Sequence, residues 1–446
     1  MSRVLFTSMP FAGHIRPGLP IARELVDAGH EVLWYTGQKY ARLVAGSGAT
    51  FVPYPESLDF DDADVDQQRR TEGAPPAKPG LKDLRRDIQE VFLRPVAEHV
   101  GVLETIVENF RPDVVATEHT FIAGALLAER LQIPLVVFAV TPMTLSSIDT
   151  APFGTGLPPS TTRLGRLRNR ALNAAMRQVI FRGAQRQAAQ LRESLGLAPL
   201  PGYFLDWTTT LAEKFLVPSV PEFEYQRSDL PGSVQFVGTF LPAGVDDGWT
   251  PPTWWSDLAA ARQAGRPVVL VTQGTLATDP DNLLRPAINA LADQDVLVIA
   301  TSGGPNPETV LAERDRPANV RIVAFVPFTE LLPLVDVMVT TGGYGGVQMA
   351  LAYGVPLVGA GTTEDKMEVN ARVAHSGAGV SLRVDRPTPA QVLSGVRTVL
   401  GDPAYRAKAR VLQQAYARYG GARWAAEIVA GTARAVAGSA QVQSVR

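Results

Sequence analysis

Val339-Thr340-Thr341-Gly342-Gly343-Tyr344-Gly345-Gly346-Val347-Gln348 runs from an apolar strand through four glycines into a helix. Strand, tight loop and helix in that order are the building unit of doubly wound parallel sheets. Glycines let backbone N–H groups approach an anion closely, and the helix start adds a favourable dipole. A diphosphate fits there without a metal, although a plain strand–helix turn has the same letters. The spacing is not G-x-G-x-x-G, and no G-x-x-x-x-G-K-[ST] occurs in the chain.

Outward from this loop, apolar runs at 267–272, 295–300, 320–325, 337–340 and 356–360 alternate with helical patterns. The alternation predicts a parallel α/β sheet. Thr388-Pro389 reads as an N-cap and first helical residue, opening helical sequence that reaches 436. The N-terminal half repeats the pattern, with strands at 3–8, 31–35, 51–54, 113–118 and 134–140 and helices at 17–28 and 121–131. Continuous runs such as Leu135-Val136-Val137-Phe138 suit strands buried on both faces. An Arg/Ala/Gln-rich helical stretch spans 164–195, and a Pro-rich region at 218–252 reads as a linker. The expected division is 1–220 as one Rossmann-like domain, 221–260 as linker, 261–425 as a second such domain, and 426–446 as a helix and tail, the helix packing back on the first domain. A chain of 446 residues is too long for one ordinary core, which agrees.

Composition narrows the function classes. Forty-two Lys and Arg against 44 Asp and Glu give a net charge of −2, with no general attraction to nucleic acid or anionic lipid. With zero cysteines there is no disulfide, thiol nucleophile or thiolate metal site. No apolar run is long enough for a transmembrane anchor, and the first strand turns into Gly/Pro-rich loop too early for a signal peptide, so a cytoplasmic protein is expected.

Ligands of open parallel sheets sit beyond the carboxyl ends of the strands, so the loops after strands carry the candidates. His14 follows the first strand and stands just before a helix start, where the dipole favours a neutral imidazole, the form a general base needs. Glu118 ends the 113–118 strand and can orient His14 and stabilise its charged form. The bland readings are a packing histidine and a helix-capping glutamate. His30 and His99 read as structural and surface residues respectively. In the second half, Thr272-Gln273-Gly274-Thr275, Thr301-Ser302-Gly303-Gly304 and Thr362-Thr363-Glu364-Asp365-Lys366 all lie at strand ends. Asp59-Phe60-Asp61-Asp62-Ala63-Asp64-Val65-Asp66 has D-x-D spacings but reads as a solvated acidic loop, so no metal site is expected.

Taken together, Gly13-His14-Ile15-Arg16-Pro17, Arg111-Pro112-Asp113-Val114-Val115-Ala116-Thr117-Glu118, Phe325-Val326-Pro327-Phe328-Thr329-Glu330-Leu331-Leu332, the four-glycine loop and Ala352-Tyr353-Gly354-Val355-Pro356 resemble the GT-B-fold, nucleotide-sugar-dependent glycosyltransferases of natural products, macrolides, sterols and flavonoids. The resemblance covers nearly the whole chain. It implies an acceptor-binding domain facing a donor-binding domain across a cleft, and an inverting, metal-independent transfer from a UDP- or dTDP-sugar to a hydroxyl of a small hydrophobic acceptor. No cofactor is implied, nor a nucleic-acid partner; a monomer or homodimer is expected. His14 would be the base and Glu118 its partner. Phe325 would stack on the nucleotide base and Val326 would bond it through the backbone. Gly274, Thr275, Gly342, Gly343, Gly345, Gly346 and Val347 would serve the phosphates, and Asp365 and Lys366 the donor sugar. Thr341 stands where the family has His facing the diphosphate. Gly346, Met349, Lys366 and Phe328 depart from the family's Ser/Thr, Glu, Gln and Gln, with Lys366 placed to supply charge lost at Thr341. Phe11, Phe92, Pro142, Met143 and Phe153 would contact the acceptor. Two other readings share this architecture: a catalytically weak sugar-nucleotide-binding auxiliary protein, and a sugar-nucleotide epimerase using Glu364, Asp365 and Glu368. An oxidoreductase is excluded by the missing G-x-G-x-x-G after either first strand.

Overall fold

A computed structural model describes residues 1–61, 81–242, 249–274, 279–304 and 306–443. The chain forms two parallel sheets, each covered by helices. The first contains β1 (Arg3–Thr7), β2 (Glu31–Thr36), β3 (Thr50–Pro53), β4 (Val114–Glu118), β5 (Leu135–Phe138), β6 (Lys214–Val217) and β7 (Val234–Phe236) in the order β3-β2-β1-β4-β5-β6-β7. The second contains β8 (Val268–Thr272), β9 (Leu297–Thr301), β10 (Val320–Val323), β11 (Val337–Thr340), β12 (Leu357–Gly359) and β13 (Gly379–Ser381) in the order β10-β9-β8-β11-β12-β13. Every pairing is parallel. The central strands are buried along their whole length, which is why they read as unbroken apolar runs.

The strand order reverses between β1 and β4 in the first sheet and between β8 and β11 in the second. At such a switch point the loops after neighbouring strands diverge and leave a crevice. Register sets what meets there. Thr7 pairs with Thr117, so the loop after β1 opens beside Glu118. Thr340 pairs with Thr272, so the four-glycine loop opens beside Gly274.

Five helices matter for the site: α1 (Ala12–Ile15) and α2 (Gly18–Asp27) after β1, α3 (Arg163–Ala175), α4 (Tyr344–Ala352) after β11, and α5 (Lys366–Ser376) after β12. A last helix, α6 (Ala422–Gln443), returns to the first sheet. Its Ala425, Ala426, Val429, Ala430 and Ala433 share a core with Phe6 and Ile21. No helix among the described residues is long and apolar enough to cross a membrane.

The 221–260 stretch is not all linker. It contains β7, which extends the first sheet by pairing Val234 with Phe215. As an edge strand β7 is only half-buried, so its short run lacks the apolar signal of the central strands. The helix expected at 17–28 is α2, and a separate one-turn helix, α1, precedes it, with Arg16 and Pro17 between them.

Candidate active site

His14 lies in the last turn of the one-turn helix α1, not at the start of α2. The dipole argument for a neutral ring therefore fails. Its Nδ1 is 3.0 Å from Glu118 Oε2. Glu118 is wholly buried and accepts the Thr120 amide at 2.6 Å on Oε1 and the Thr120 hydroxyl at 2.9 Å on Oε2. Thr120 Oγ1 also lies 3.2 Å from His14 Nδ1, and His119 Nδ1 lies 3.1 Å from Glu118 Oε1. Glu118 is thus the partner of His14 and holds the turn at Thr120, but it does not cap the helix that follows, which has no side-chain cap.

The electrostatics follow from this packing. Burial pushes the Glu118 carboxyl up, but the charge of His14 and hydrogen bonds from His119 and His14 win and hold it well below the usual carboxylate range. Burial pushes the His14 imidazole down, but Glu118's charge and hydrogen bond, aided by Asp365 and Glu364, leave it raised above 6.5. With Nδ1 committed to Glu118, the ring's Nε2 is the proton-accepting atom. The His14 ring lines a cleft of about 1330 Å³ between the two sheets.

The opposite wall is backbone. The amides of Tyr344, Gly345 and Gly346 open α4 and have no intrahelical acceptor, and no side chain caps them. Gly343, Gly345, Gly346, Gly274 and Thr341 line the cleft. Thr341 donates its hydroxyl to the Gln273 carbonyl at 3.2 Å. Gly342 does not line it. It turns the chain at φ +99, and a Cβ there would overlap the Asn370 carboxamide. Val347 is also displaced from the expected role: it is core, and its N–H donates to Gly343 at 3.1 Å. Phe325, 57% exposed, and Val326 line the cleft beside this wall. Asp365 and Lys366 line it too, with Lys366 Nζ bonded to Glu364 Oε2 at 2.7 Å. Burial, then the charge of Glu364, pushes the Asp365 carboxyl up to about 7. Thr275 lies outside the described residues, as does the acidic loop from Asp62 onward.

Of the acceptor candidates, Phe11, Phe92 and Phe153 line the cleft, and the Phe11 ring sits 5.2 Å from the His14 ring. Pro142 and Met143 do not. Both are buried, and Met143 packs into the first domain's core, while Thr141 and Thr144 face the cleft instead. His99 is a core residue, not a surface one: its Nδ1 is 3.0 Å from Tyr35 Oη, and burial lowers it to about 4.

Over 418 residues the chain is 42% identical to 4'-demethylrebeccamycin synthase of Lentzea aerocolonigenes, covering 93% of this chain and 96% of that one. The chain belongs to the natural-product glycosyltransferases of the GT-B fold. UDP-glycosyltransferase 2 of Phaeomoniella chlamydospora is 33% identical over 423 residues, 93% of this chain and 92% of the relative. Residues 287–429 match the family model described as erythromycin biosynthesis protein CIII-like, C-terminal domain. The fold is shared with the crystal structures of the kitacinnamycin glycotransferase and of CalG4, the calicheamicin glycosyltransferase, each at TM-score 0.72 and 23% identity over 97% of this chain and 98% of the other.

In this glycosyltransferase four residues beyond His14 and Glu118 tie the surroundings of the cleft together. Thr120 joins His14 and Glu118 through its hydroxyl. Asn370 donates to the Thr341 and Gly361 carbonyls at 3.2 and 3.1 Å, tying two strand-end loops together. Glu368, in α5, accepts the Gly154 and Gly156 amides at 3.0 and 2.8 Å, so a second-domain helix grips the first-domain loop that carries Phe153. Arg372 steadies Glu368 at 2.9 Å and Glu224 at 3.0 Å. Nothing in the local sequence marks these contacts, because each reaches chain far away in sequence or lies one hydroxyl away from an obvious charge.

Proposed function

We propose that this transferase is inverting and metal-independent, and moves a sugar from a UDP- or dTDP-sugar to a hydroxyl of a small hydrophobic natural product. The observation that carries the reading is His14, held by buried Glu118 at 3.0 Å, in a cleft whose far wall is the uncapped start of α4. His14 Nε2 takes the acceptor's proton. The acceptor oxygen attacks the anomeric carbon as its bond to the diphosphate breaks. The proton ends on an imidazolium that Glu118 stabilises, and the charge leaving with the diphosphate falls on the amides of Tyr344, Gly345 and Gly346. One base facing one leaving-group site is what a single in-line displacement needs, and a single displacement inverts.

Phe325 is the exposed aromatic face for the nucleotide base, and Asp365 and Lys366 are placed for the sugar. Phe11, Phe92 and Phe153 give the acceptor an apolar bed. UDP is favoured by relatives that carry that donor in their names. Among the described residues no group of three or more His, Asp or Glu is placed to hold a metal ion. The epimerase reading loses a needed carboxylate, since Glu368 is spent on Gly154, Gly156 and Arg372. The auxiliary-protein reading is opposed by the intact His14–Glu118 pair. NMR of the product tests the mechanism. A donor with an axial anomeric bond should give the equatorial linkage, at a rate EDTA leaves unchanged; retention, or loss of activity with chelator, would overturn it.

A further inference from the structure

The outer face of the Arg-rich stretch takes no part in the transfer site. Between Asp149 and Glu193 the chain has no acidic residue but eight arginines, Arg163 to Arg192, in a protein of net charge −2. Helix α3 continues through a π-helical turn, Met176–Ile180, as one rod. Its inner face is anchored. Asn169 donates to the Ile148 carbonyl at 3.1 Å, Asn173 to the Ser147 and Thr150 carbonyls at 3.3 and 3.2 Å, and Asn173 and Met176 line the cleft.

The outer face is apolar as well. Leu164, Leu167 and Val179 are 80, 64 and 71% exposed, and exposed Ala171, Ala174 and Ala175 recur between them at three- and four-residue spacing. Exposed Arg163, Arg168 and Arg170 border this row, and Arg182 follows its end. A soluble helix turns its apolar stripe inward; this one has a second stripe in water, edged by cations. A two-fold contact between copies would set the arginine rows against each other, which is unfavourable. An anionic bilayer suits both features, taking leucine and valine among its acyl chains and arginine at its phosphates.

We infer that this ridge docks on an anionic lipid surface, placing one wall of the acceptor side of the cleft against the bilayer. The contact goes beyond the transfer reaction and does not rest on its mechanism. The overall charge balance conceals it, because the cations are gathered on one face.

Flotation of the purified protein with phosphatidylcholine vesicles, with and without phosphatidylglycerol, tests it. The protein should float only with the anionic vesicles and be released by high salt. Leu164→Glu/Leu167→Glu/Val179→Glu and Arg163→Glu/Arg170→Glu/Arg182→Glu should each cut binding more than about tenfold. These are exposed positions outside the transfer machinery, so turnover of a soluble acceptor without vesicles should match the parent protein. The inference is overturned if the parent protein stays unbound or binds neutral vesicles equally. It is also overturned if both triple variants still float, or if sedimentation shows a dimer that the same substitutions dissolve.

Discussion

The two walls of the cleft are built on the same sheet topology but from different materials. The first-domain wall is side-chain machinery, in which a buried carboxylate, two imidazoles and a hydroxyl converge within hydrogen-bond distance after β1 and β4. The second-domain wall is centred on backbone, where the loop after β11 bares the first amides of α4 between glycines, with Thr341 beside them. Side-chain machinery is lost with a single atom. Backbone machinery survives replacement of its side chains and fails only when the turn is bent. That contrast allows Thr341, Gly346 and Met349 to depart from the family pattern while the α4 amides, proposed to receive the diphosphate, stay in place.

The contrast breaks most sharply at His14. His14→Ala should lower kcat by on the order of 10²–10⁴-fold, with donor affinity by titration calorimetry unchanged, because the donor wall lies opposite. On the backbone wall the sensitive point is Gly342. Gly342→Ala forces a Cβ into Asn370 at a positive φ and should raise the donor KM roughly tenfold, with an unfolding cost of about 1–3 kcal/mol. Glu368 crosses the divide. Glu368→Ala frees the Gly154 and Gly156 amides while Arg372 keeps Glu224. The acceptor KM should rise roughly five-fold with the donor KM unmoved; equal rises in both would show general loosening instead. Lys366→Ala is the mildest change, because the ammonium already bonds Glu364. It should weaken donor binding by roughly three-fold, and unchanged affinity would remove Lys366 from the donor site.

The fold was largely legible because strands buried on both faces, such as Val268-Val269-Leu270-Val271, print as apolar runs. β7 was hidden by its half-buried edge position. His14 and Glu118 were legible as ends of strands whose loops point one way. Their charge state was not: it depends on α1 being separate from α2 and on how closely the buried carboxylate approaches. The burial of Pro142 and Met143 is not legible in the sequence because the direction of a loop side chain is set by tertiary packing; Arg227 holds the Met143 carbonyl at 3.2 Å while the side chain enters the core. The grip of Glu368 is not legible locally, since the amides it holds lie 212 and 214 residues away.

The pH dependence of kcat/KM, in the parent protein and in Glu118→Gln, tests the central claim most directly. The reactive form has a neutral His14, so activity should fall as pH drops through a value above 6.5, where Glu118 holds the imidazolium. Removing that charge lowers the histidine's pKa, so the acid limb of Glu118→Gln should move to lower pH while the plateau rate drops. An acid limb that stays in place in the variant would mean that His14, held by Glu118, is not the base.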